Sequence, residues 1–354
     1  MIVNPLAKDL DRILDATEPL WKELKNKSLF ITGGTGFFGC WMLESFAWAN
    51  NRLNLNAKAM VLTRNKAAFS AKCPHLFQDS SVQFHEGDVR DFIFPPGHFS
   101  HIIHAATDAS VQLNEEHPLL MLDTILQGTR HTLEFAKQCG AKHFLLTSSG
   151  AVYGKQSPQL THLSEDHPCQ SMLTETSSAY AVGKCTSEHM SCLYGKQHGF
   201  DVKIARCFAF VGPYLPLDIQ YAIGNFIRDG LQGGPILVNG DGTPFRSYLY
   251  AADLAIWLWT ILFRGESQRP YNVGSDEAFS IVQLAQAVAN NFEYAPAIKV
   301  MRPPSADVLP TRYIPDITRA RSELQLAPQV DLNQAIHLTK EWYRLKQHNS
   351  TVMQ

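Results

Sequence analysis

Three features of the chain predict an α/β fold, a doubly wound parallel sheet with a smaller C-terminal α/β lobe. Short apolar, β-branched segments alternate with longer helical ones from residue 29 to about 207. The first such strand runs into glycines at spacing three, Gly33, Gly36 and Gly39, and then into an apolar run at 37–48 long enough for a helix. Beyond about residue 207 prolines and glycines cluster, among them Pro213, Pro216, Gly233, Gly234, Pro235 and Pro244, and the architecture changes. Repeated strand–helix units imply parallel strands with helices on both faces.

Taken in order, residues 5–25 carry Leu6, Leu10, Ile13, Leu14, Leu20 and Leu24 at near-helical spacing, interrupted by Pro19. They read as a helical extension, residues 1–27, packed on the outside of the domain. Strands follow at 29–31, 59–63, 82–85, 101–106, 142–148 and 201–206, with long helices at 118–139 and 177–198. Residues 28–207 form the first domain, with returns near 250–275. Residues 208–354 form the lobe, with helices near 219–231, 250–263, 280–291 and 331–346. Trp257-Leu258-Trp259 lies in an apolar helix and reads as core.

Composition excludes several classes. Of 354 residues, 45% are hydrophobic and 18% charged, enough apolar side chains for a large globular core. A net charge of −2 with no basic block argues against nucleic acid as a partner. The longest apolar runs, such as 254–263, are too short to span a bilayer, so no membrane partner is expected. Residues 1–27 hold five acidic side chains and no continuous apolar core, unlike a signal peptide. Seven cysteines with no C-x-x-C pair fit a reduced, cytoplasmic protein. The fourteen histidines never fall into a metal-ligand spacing, so no metal is expected.

An open α/β sheet takes its ligand outside the carboxyl ends of its strands, and those ends carry the candidate residues. A glycine turn leading into a helix presents backbone N–H groups and a positive helix end to a pyrophosphate. A Cβ at Gly33, Gly36 or Gly39 would obstruct the turn, the approach of phosphate or the packing of the helix. The spacing is G-x-x-G-x-x-G, not the G-x-G-x-x-G of the dinucleotide fingerprint. The second strand ends in Thr63-Arg64. An acidic residue there would hold the ribose 2′-hydroxyl of NAD and an arginine the 2′-phosphate of NADP, so Arg64 leans toward NADP. Asp88 can accept a hydrogen bond from an adenine amine, although aspartate in such a turn is also an ordinary cap. Ala105, Ala106 and Thr107 leave room for a flat ligand at the fourth strand's end, and Thr147, Ser148 and Ser149 crowd hydroxyls at the fifth. Tyr180 and Lys184 share a helix face. An ammonium one turn from a phenol favours the phenolate, and a tyrosine moved toward neutrality exchanges a proton with a sugar or alcohol hydroxyl. His101 and His104 flank one strand and read as structural.

These motifs stand in one order: Thr32-Gly33-Gly34-Thr35-Gly36-Phe37-Phe38-Gly39, Gly87-Asp88-Val89, His104-Ala105-Ala106, Ser148-Ser149-Gly150-Ala151-Val152-Tyr153-Gly154 and Tyr180-x-x-x-Lys184. Together they resemble the extended short-chain dehydrogenases/reductases, and more narrowly the NAD-dependent epimerase/dehydratase group that works on nucleotide sugars. Segments 246–253 and 271–275 are similar to that group's substrate-lobe motifs, and the resemblance runs from about residue 28 to 345. It implies a Rossmann-type domain in which Gly33, Gly36 and Gly39, with Phe37 and Phe38, hold the pyrophosphate of NAD or NADP. Asp88 and Val89 would flank the adenine, and Ala105, Ala106 and Thr107 line the dinucleotide. Ser149 would bond the reacting sugar oxygen. Tyr180 would be the acid/base, and Lys184 would lower its pKa and hold the nicotinamide ribose. Arg246 would neutralise the substrate diphosphate, with Asn225 a second candidate for that pocket. A homodimer through helices 118–139 and 177–198 is implied too.

The departures carry information. Gly150 and Ala151 stand where sugar 4,6-dehydratases of this group have an Asp-Glu or Ser-Glu pair, which argues against dehydration unless Asp108 or Glu175 substitutes. Ile125 and Ala209 stand where the family often has asparagine. The expected function is an NAD(P)-dependent 4-epimerase of a nucleotide-diphosphate sugar, acting through a 4-keto intermediate. An NADPH-dependent 4-keto-sugar reductase, a 4,6-dehydratase and a non-catalytic dinucleotide sensor are the alternatives.

Overall fold

The computed structural model describes residues 4–107, 110–170, 173–219, 221–304 and 309–352. The chain divides into two compact units. One comprises Met1–Gly154, Pro168–Cys207 and Ala255–Tyr271, the other Lys155–His167, Phe208–Leu254 and Asn272–Gln354.

The first unit is built on strands β1 (Ser28–Thr32), β2 (Lys58–Thr63), β3 (Val82–Glu86), β4 (His101–His104), β5 (His143–Ser149) and β6 (Asp201–Cys207); β7 (Pro270–Val273), the seventh strand of the sheet, begins in this unit and ends in the second. Their order is β7-β6-β5-β4-β1-β2-β3, and the pairs from β6 to β3 are parallel. β1, β4, β5 and β6 are buried over nearly their whole length, as strands covered on both faces must be. The order reverses beside β1. β2 and β3 lie to one side and β4 to β6 to the other, so the adjoining carboxyl ends of β1 and β4 make the crevice where such sheets take ligands.

The apolar pattern explains the packing. Phe30 of β1 meets Phe92, Phe99 and Phe135 at ring-centroid distances of 5.4, 5.7 and 4.7 Å. Burying each such ring contributes about 1.5–3 kcal/mol relative to leaving it in water. A separate cluster joins Trp21 and Trp259, both fully buried, with centroids 4.5 Å apart. The expected N-terminal helix divides at its proline into α1 (Ala7–Thr17) and a 3₁₀ turn, Glu18–Leu24, with Pro19 in its first turn, where no N–H is needed. The Trp21 indole donates to Thr17 Oγ1 at 2.9 Å, so the extension supplies a core side chain as well as a cover.

After α2 (Phe37–Arg52), the long helices α3 (Pro118–Cys139) and α4 (Ala179–His198) each end in a glycine in the left-handed conformation, Gly140 and Gly199. They approach closely where Gly183 lacks a side chain: a Cβ there would lie 3.0 Å from Ile125 Cδ1. Ile125, an oddity in the motif comparison, is therefore the side chain that fills this seam. Trp257 and Trp259 lie buried in α5 (Ala251–Arg264), as expected of core.

The second unit holds a three-stranded sheet of Phe279–Ser280, Phe245–Arg246 and Arg312–Tyr313, two short parallel pairs, and helices including Ala222–Leu231, Ile281–Asn290 and Leu332–Val352. Residues 155–167, expected in the first domain, belong here for a specific reason. The Asn272 backbone N–H donates to Glu165 Oε1 (2.7 Å), and its side-chain amide to the carbonyls of Leu163 (2.7 Å) and Asp316 (3.0 Å). Gly274 packs so tightly that a Cβ would lie 2.8 Å from Pro315 Cγ, which explains the glycine of segment 271–275. Among the described residues no helix is long and apolar enough to cross a membrane, and no group of metal-ligating side chains gathers.

Candidate active site

The glycine turn stands at the β1–β4 crevice. Gly33 has φ +71°, and a Cβ on it would fall 2.4 Å from the Ala105 carbonyl carbon. A side chain there would close the crevice. Gly39 is equally constrained, since its Cβ would lie 2.3 Å from Gly34 Cα. Gly36 is the exposed N-cap of α2 and offers no side chain to that helix's first N–H groups, which leaves them for an anion. Phe37 and Phe38 are half-buried at the start of α2, with ring centroids 5.8 Å apart. Ala105, Ala106 and Thr107, directly after β4, are also partly exposed.

Beneath the crevice runs a chain of buried hydrogen bonds. His104 Nδ1 pairs with Thr32 Oγ1 at 2.8 Å and its Nε2 with Thr129 Oγ1 at 3.1 Å. Thr129 continues to Ser187 Oγ at 3.0 Å, and Thr32 Oγ1 accepts the Ala106 N–H at 3.2 Å. Burial, reinforced by the charge of Lys184, holds the imidazole at about 3, so it is neutral near neutral pH. His104 is thus a structural histidine, as its position in the strand suggested.

Lys184 is almost fully buried in α4. Its Nζ donates to Thr107 Oγ1 at 2.8 Å and to the Thr147 carbonyl at 2.9 Å, so it bridges the ends of β4 and β5. Burial draws its ammonium down to about 8, while Cys207 and Glu188 pull the other way. The Lys184 Nζ is 5.8 Å from the Tyr180 ring centroid, one helical turn away. The Tyr180 backbone N–H donates to Asn114 Oδ1 (3.0 Å), and the Asn114 amide donates to the Ser177 carbonyl (2.8 Å), which fixes the entry of α4. Ser149 ends β5, nearly buried, its Oγ accepting the Ala151 N–H at 3.1 Å. The 3₁₀ turn Gly150–Tyr153 follows, without a carboxylate. Glu175 is exposed, and Asp108 lies outside the described residues.

Behind Ser149 is a group that motif reading missed. Ser148 Oγ donates to Glu188 Oε1 at 2.5 Å, and Glu188 receives the Arg206 guanidinium through Nε (3.0 Å) and Nη2 (2.7 Å). Arg206 Nη1 donates to the Tyr153 hydroxyl at 3.0 Å. The signal was present, because Glu188 follows Lys184 by one turn on the same face.

Arg64 is exposed after β2. Asp88 is held by Arg90 through Nε (2.8 Å) and Nη2 (3.1 Å), which keeps its carboxyl below the usual range, and Arg64 adds to this from further away. Val89 turns into the core against Gly128. Arg246 and Asn225 lie in the second unit. Arg246 is partly exposed on the three-stranded sheet, and Asn225 Oδ1 accepts Arg228 Nη1 at 3.0 Å.

The chain is similar to known proteins in sequence and in fold. UDP-glucuronic acid decarboxylase 6 of Arabidopsis thaliana is 28% identical over 91% of this chain and 90% of its own length. In fold, the chain is similar to UDP-glucose 4-epimerase of Thermotoga maritima (TM-score 0.75, 21% identity, 90% of this chain and 99% of that one). It is equally similar to dTDP-glucose 4,6-dehydratase of Streptomyces venezuelae (TM-score 0.75, 24% identity, 91% and 98%), whose structure holds NAD. The family model for the NAD dependent epimerase/dehydratase family matches residues 29–274. With the glycine turn at the β1–β4 crevice and the Tyr-x-x-x-Lys helix beside it, the chain belongs to the NAD dependent epimerase/dehydratase family.

Proposed function

We propose that the chain oxidises and re-reduces the C4 position of a nucleotide-diphosphate sugar, as a 4-epimerase. The observation that carries this reading is the bare turn at Gly150–Tyr153, next to Ser149 and to the Tyr180–Lys184 pair. The residues fit a nicotinamide dinucleotide: Gly33 leaves a cradle that a Cβ would fill, and the first N–H groups of α2 face it without a capping side chain. A bound dinucleotide would supply the acceptor and donor of hydride. Tyr180 would take the proton from the C4 hydroxyl and return it, a role worth about 10²–10⁴ in rate. Lys184, fixed by Thr107 and Thr147, would favour the phenolate, and Ser149 would hold the sugar oxygen. Elimination of water needs a further acid and base at the strand end, and Gly150 and Ala151 cannot supply them. Arg246 is our candidate for the substrate diphosphate, and Arg64 for a 2′-phosphate, which makes NADP a second cofactor to test. The α3 and α4 helices are the proposed dimer contact.

A second reading, decarboxylation of UDP-glucuronic acid, is favoured by the named relatives. It begins with the same C4 oxidation, after which a 4-keto acid loses carbon dioxide without a further base. Incubation with NAD or NADP and UDP-glucose, UDP-galactose or UDP-glucuronic acid separates the two. Interconversion of the hexoses without carbon dioxide supports the epimerase, and carbon dioxide with a UDP-pentose supports the decarboxylase. A Tyr180→Phe chain as active as wild type would overturn both.

A further inference from the structure

Tyr180, Lys184 and Glu188 follow one another at intervals of four on α4, so they share one face of the helix. The helix holds the end of β5 and the turn after it at several points. Lys184 Nζ donates to the Thr147 carbonyl at 2.9 Å, and the Ser148 hydroxyl donates to Glu188 Oε1 at 2.5 Å. Cys185 Sγ donates to the Val152 carbonyl at 3.7 Å. A last tie passes through Arg206, which stands opposite Ser148 in the β5–β6 register. The guanidinium binds both oxygens of Glu188, Nε to Oε1 at 3.0 Å and Nη2 to Oε2 at 2.7 Å. Its Nη1 donates to the Tyr153 hydroxyl at 3.0 Å. Ser148, Tyr153, Glu188 and Arg206 are all buried. Between the tied residues lie Ser149, Gly150 and Ala151, and the Ser149 Oγ accepts the Ala151 N–H at 3.1 Å. One ion pair thus reaches the residue before Ser149 and the residue that ends its turn. Stability alone does not call for it, since apolar side chains of similar volume fill such a space as well or better. A bidentate guanidinium–carboxylate pair adds fixed distances and directions.

We propose that Glu188 and Arg206 are positioning residues that hold the turn carrying Ser149 in register with Tyr180 and Lys184. They act through Ser148 and Tyr153. The proposal rests on the reading of Ser149, Tyr180 and Lys184 as the groups that meet the reacting sugar. A misplacement of about 1 Å can lower turnover by about 10². Loosening the 148–153 segment therefore acts on kcat. The dinucleotide cradle proposed at Gly33–Gly39 is built on β1 and α2 and does not depend on this pair.

The test is the joint replacement Glu188→Leu with Arg206→Leu, which removes the ion pair and is expected to keep most of the wild-type stability in urea. Amide hydrogen exchange across residues 147–154, read by mass spectrometry, is expected to speed up by about tenfold or more. With whichever of UDP-glucose, UDP-galactose or UDP-glucuronic acid the wild type converts, kcat is expected to fall by about a hundredfold. KM and the dinucleotide Kd from titration calorimetry are expected to change little beside it. Ser148→Ala and Tyr153→Phe each remove one tie and leave the ion pair in place. Both are expected to shift exchange and kcat in the same direction by less, and they carry the test if the double variant does not fold. Unchanged exchange across 147–154 overturns the proposal whatever the activity. Faster exchange with an unchanged kcat overturns it too, as does a dinucleotide affinity that falls as far as kcat. A wild type inert toward all three sugars overturns the proposed function instead, and exchange across 147–154 still decides whether the pair holds the turn.

Discussion

Replacing Lys184 by methionine tests the electrostatics of the crevice directly. Lys184 is 3% exposed, and burial lowers its ammonium from the usual 10.5 to about 8. Below pH 8 the native chain therefore carries a charged lysine at a penalty of about 3 kcal/mol relative to the unfolded chain. Between pH 8 and 10.5 the unfolded chain keeps this proton and the native chain gives it up. The unfolded state then binds more protons, so native stability rises with pH across that window. Lys184→Met has no such group. It also removes the hydrogen bonds to Thr107 and Thr147, worth about 1 kcal/mol each, but that loss is the same at every pH. The quantity to measure is therefore the difference between the two chains, by urea unfolding of protein freed of dinucleotide. From about pH 7 to about pH 10.5 the difference is expected to move by about 3 kcal/mol in favour of wild type, with most of the change above pH 8. A difference that stays flat, or that moves toward the variant as pH rises, refutes the depressed ammonium and the burial argument behind it.

Two further perturbations follow from buried geometry. Glu188→Ala leaves the Arg206 guanidinium, whose side chain is 8% exposed, without its carboxylate. It is expected to cost about 3–5 kcal/mol in urea unfolding, and joint replacement of Glu188 and Arg206 by leucine to recover most of it. A single-variant loss under about 1 kcal/mol would mean that water compensates the charge. Gly33→Ala and Gly199→Ala form a matched pair. Both glycines have φ near +70°, but a Cβ meets Ala105 backbone at 2.4 Å in the first and nothing within 4 Å in the second. Both should lose about 1 kcal/mol or more from backbone strain, and only Gly33→Ala should also weaken dinucleotide binding by about tenfold or more. Equal dinucleotide affinity in the two variants, read by titration calorimetry, would remove Gly33 from the cradle.

What was legible in the chain is what is local. The glycine turn, the alternating strands and the Tyr180–Lys184 spacing depend on neighbours within a few residues, and each led to its element. The partners across the fold were not legible. Nor did reading Asp88 as an acceptor for an adenine amine single out Arg90, only two residues on, as the group that occupies its carboxylate. Asn114 reaches the start of α4 across more than sixty residues of chain. Residues 155–167 leave the first unit, where Asn272 bonds the Leu163 carbonyl and the Glu165 carboxylate, a contact no periodicity encodes. The departures at Gly150, Ala151 and Ile125 were visible as departures. Only the packing of Ile125 on Gly183 gave one of them a physical reason.

The charges of the first unit can be assembled into one argument about why Lys184 is where it is. A buried ammonium is costly, and the fold tolerates this one without a carboxylate in contact. Its two hydrogen-bond partners, Thr107 Oγ1 and the Thr147 carbonyl, are neutral. The nearest acid on its own face, Glu188, is engaged by Arg206 and Ser148. His104, in the strand beside it, is kept neutral and so adds no second positive charge. A structural lysine would be better served by a paired carboxylate or replaced by an apolar side chain of similar volume. An ammonium hydrogen-bonded only to neutral groups, at the carboxyl edge of a sheet and one turn from a tyrosine, would keep its field for whatever enters the crevice. On the proposed function, an anionic dinucleotide and a phenolate would both profit from that field, and the stability forgone in the free chain would be the cost of having it ready.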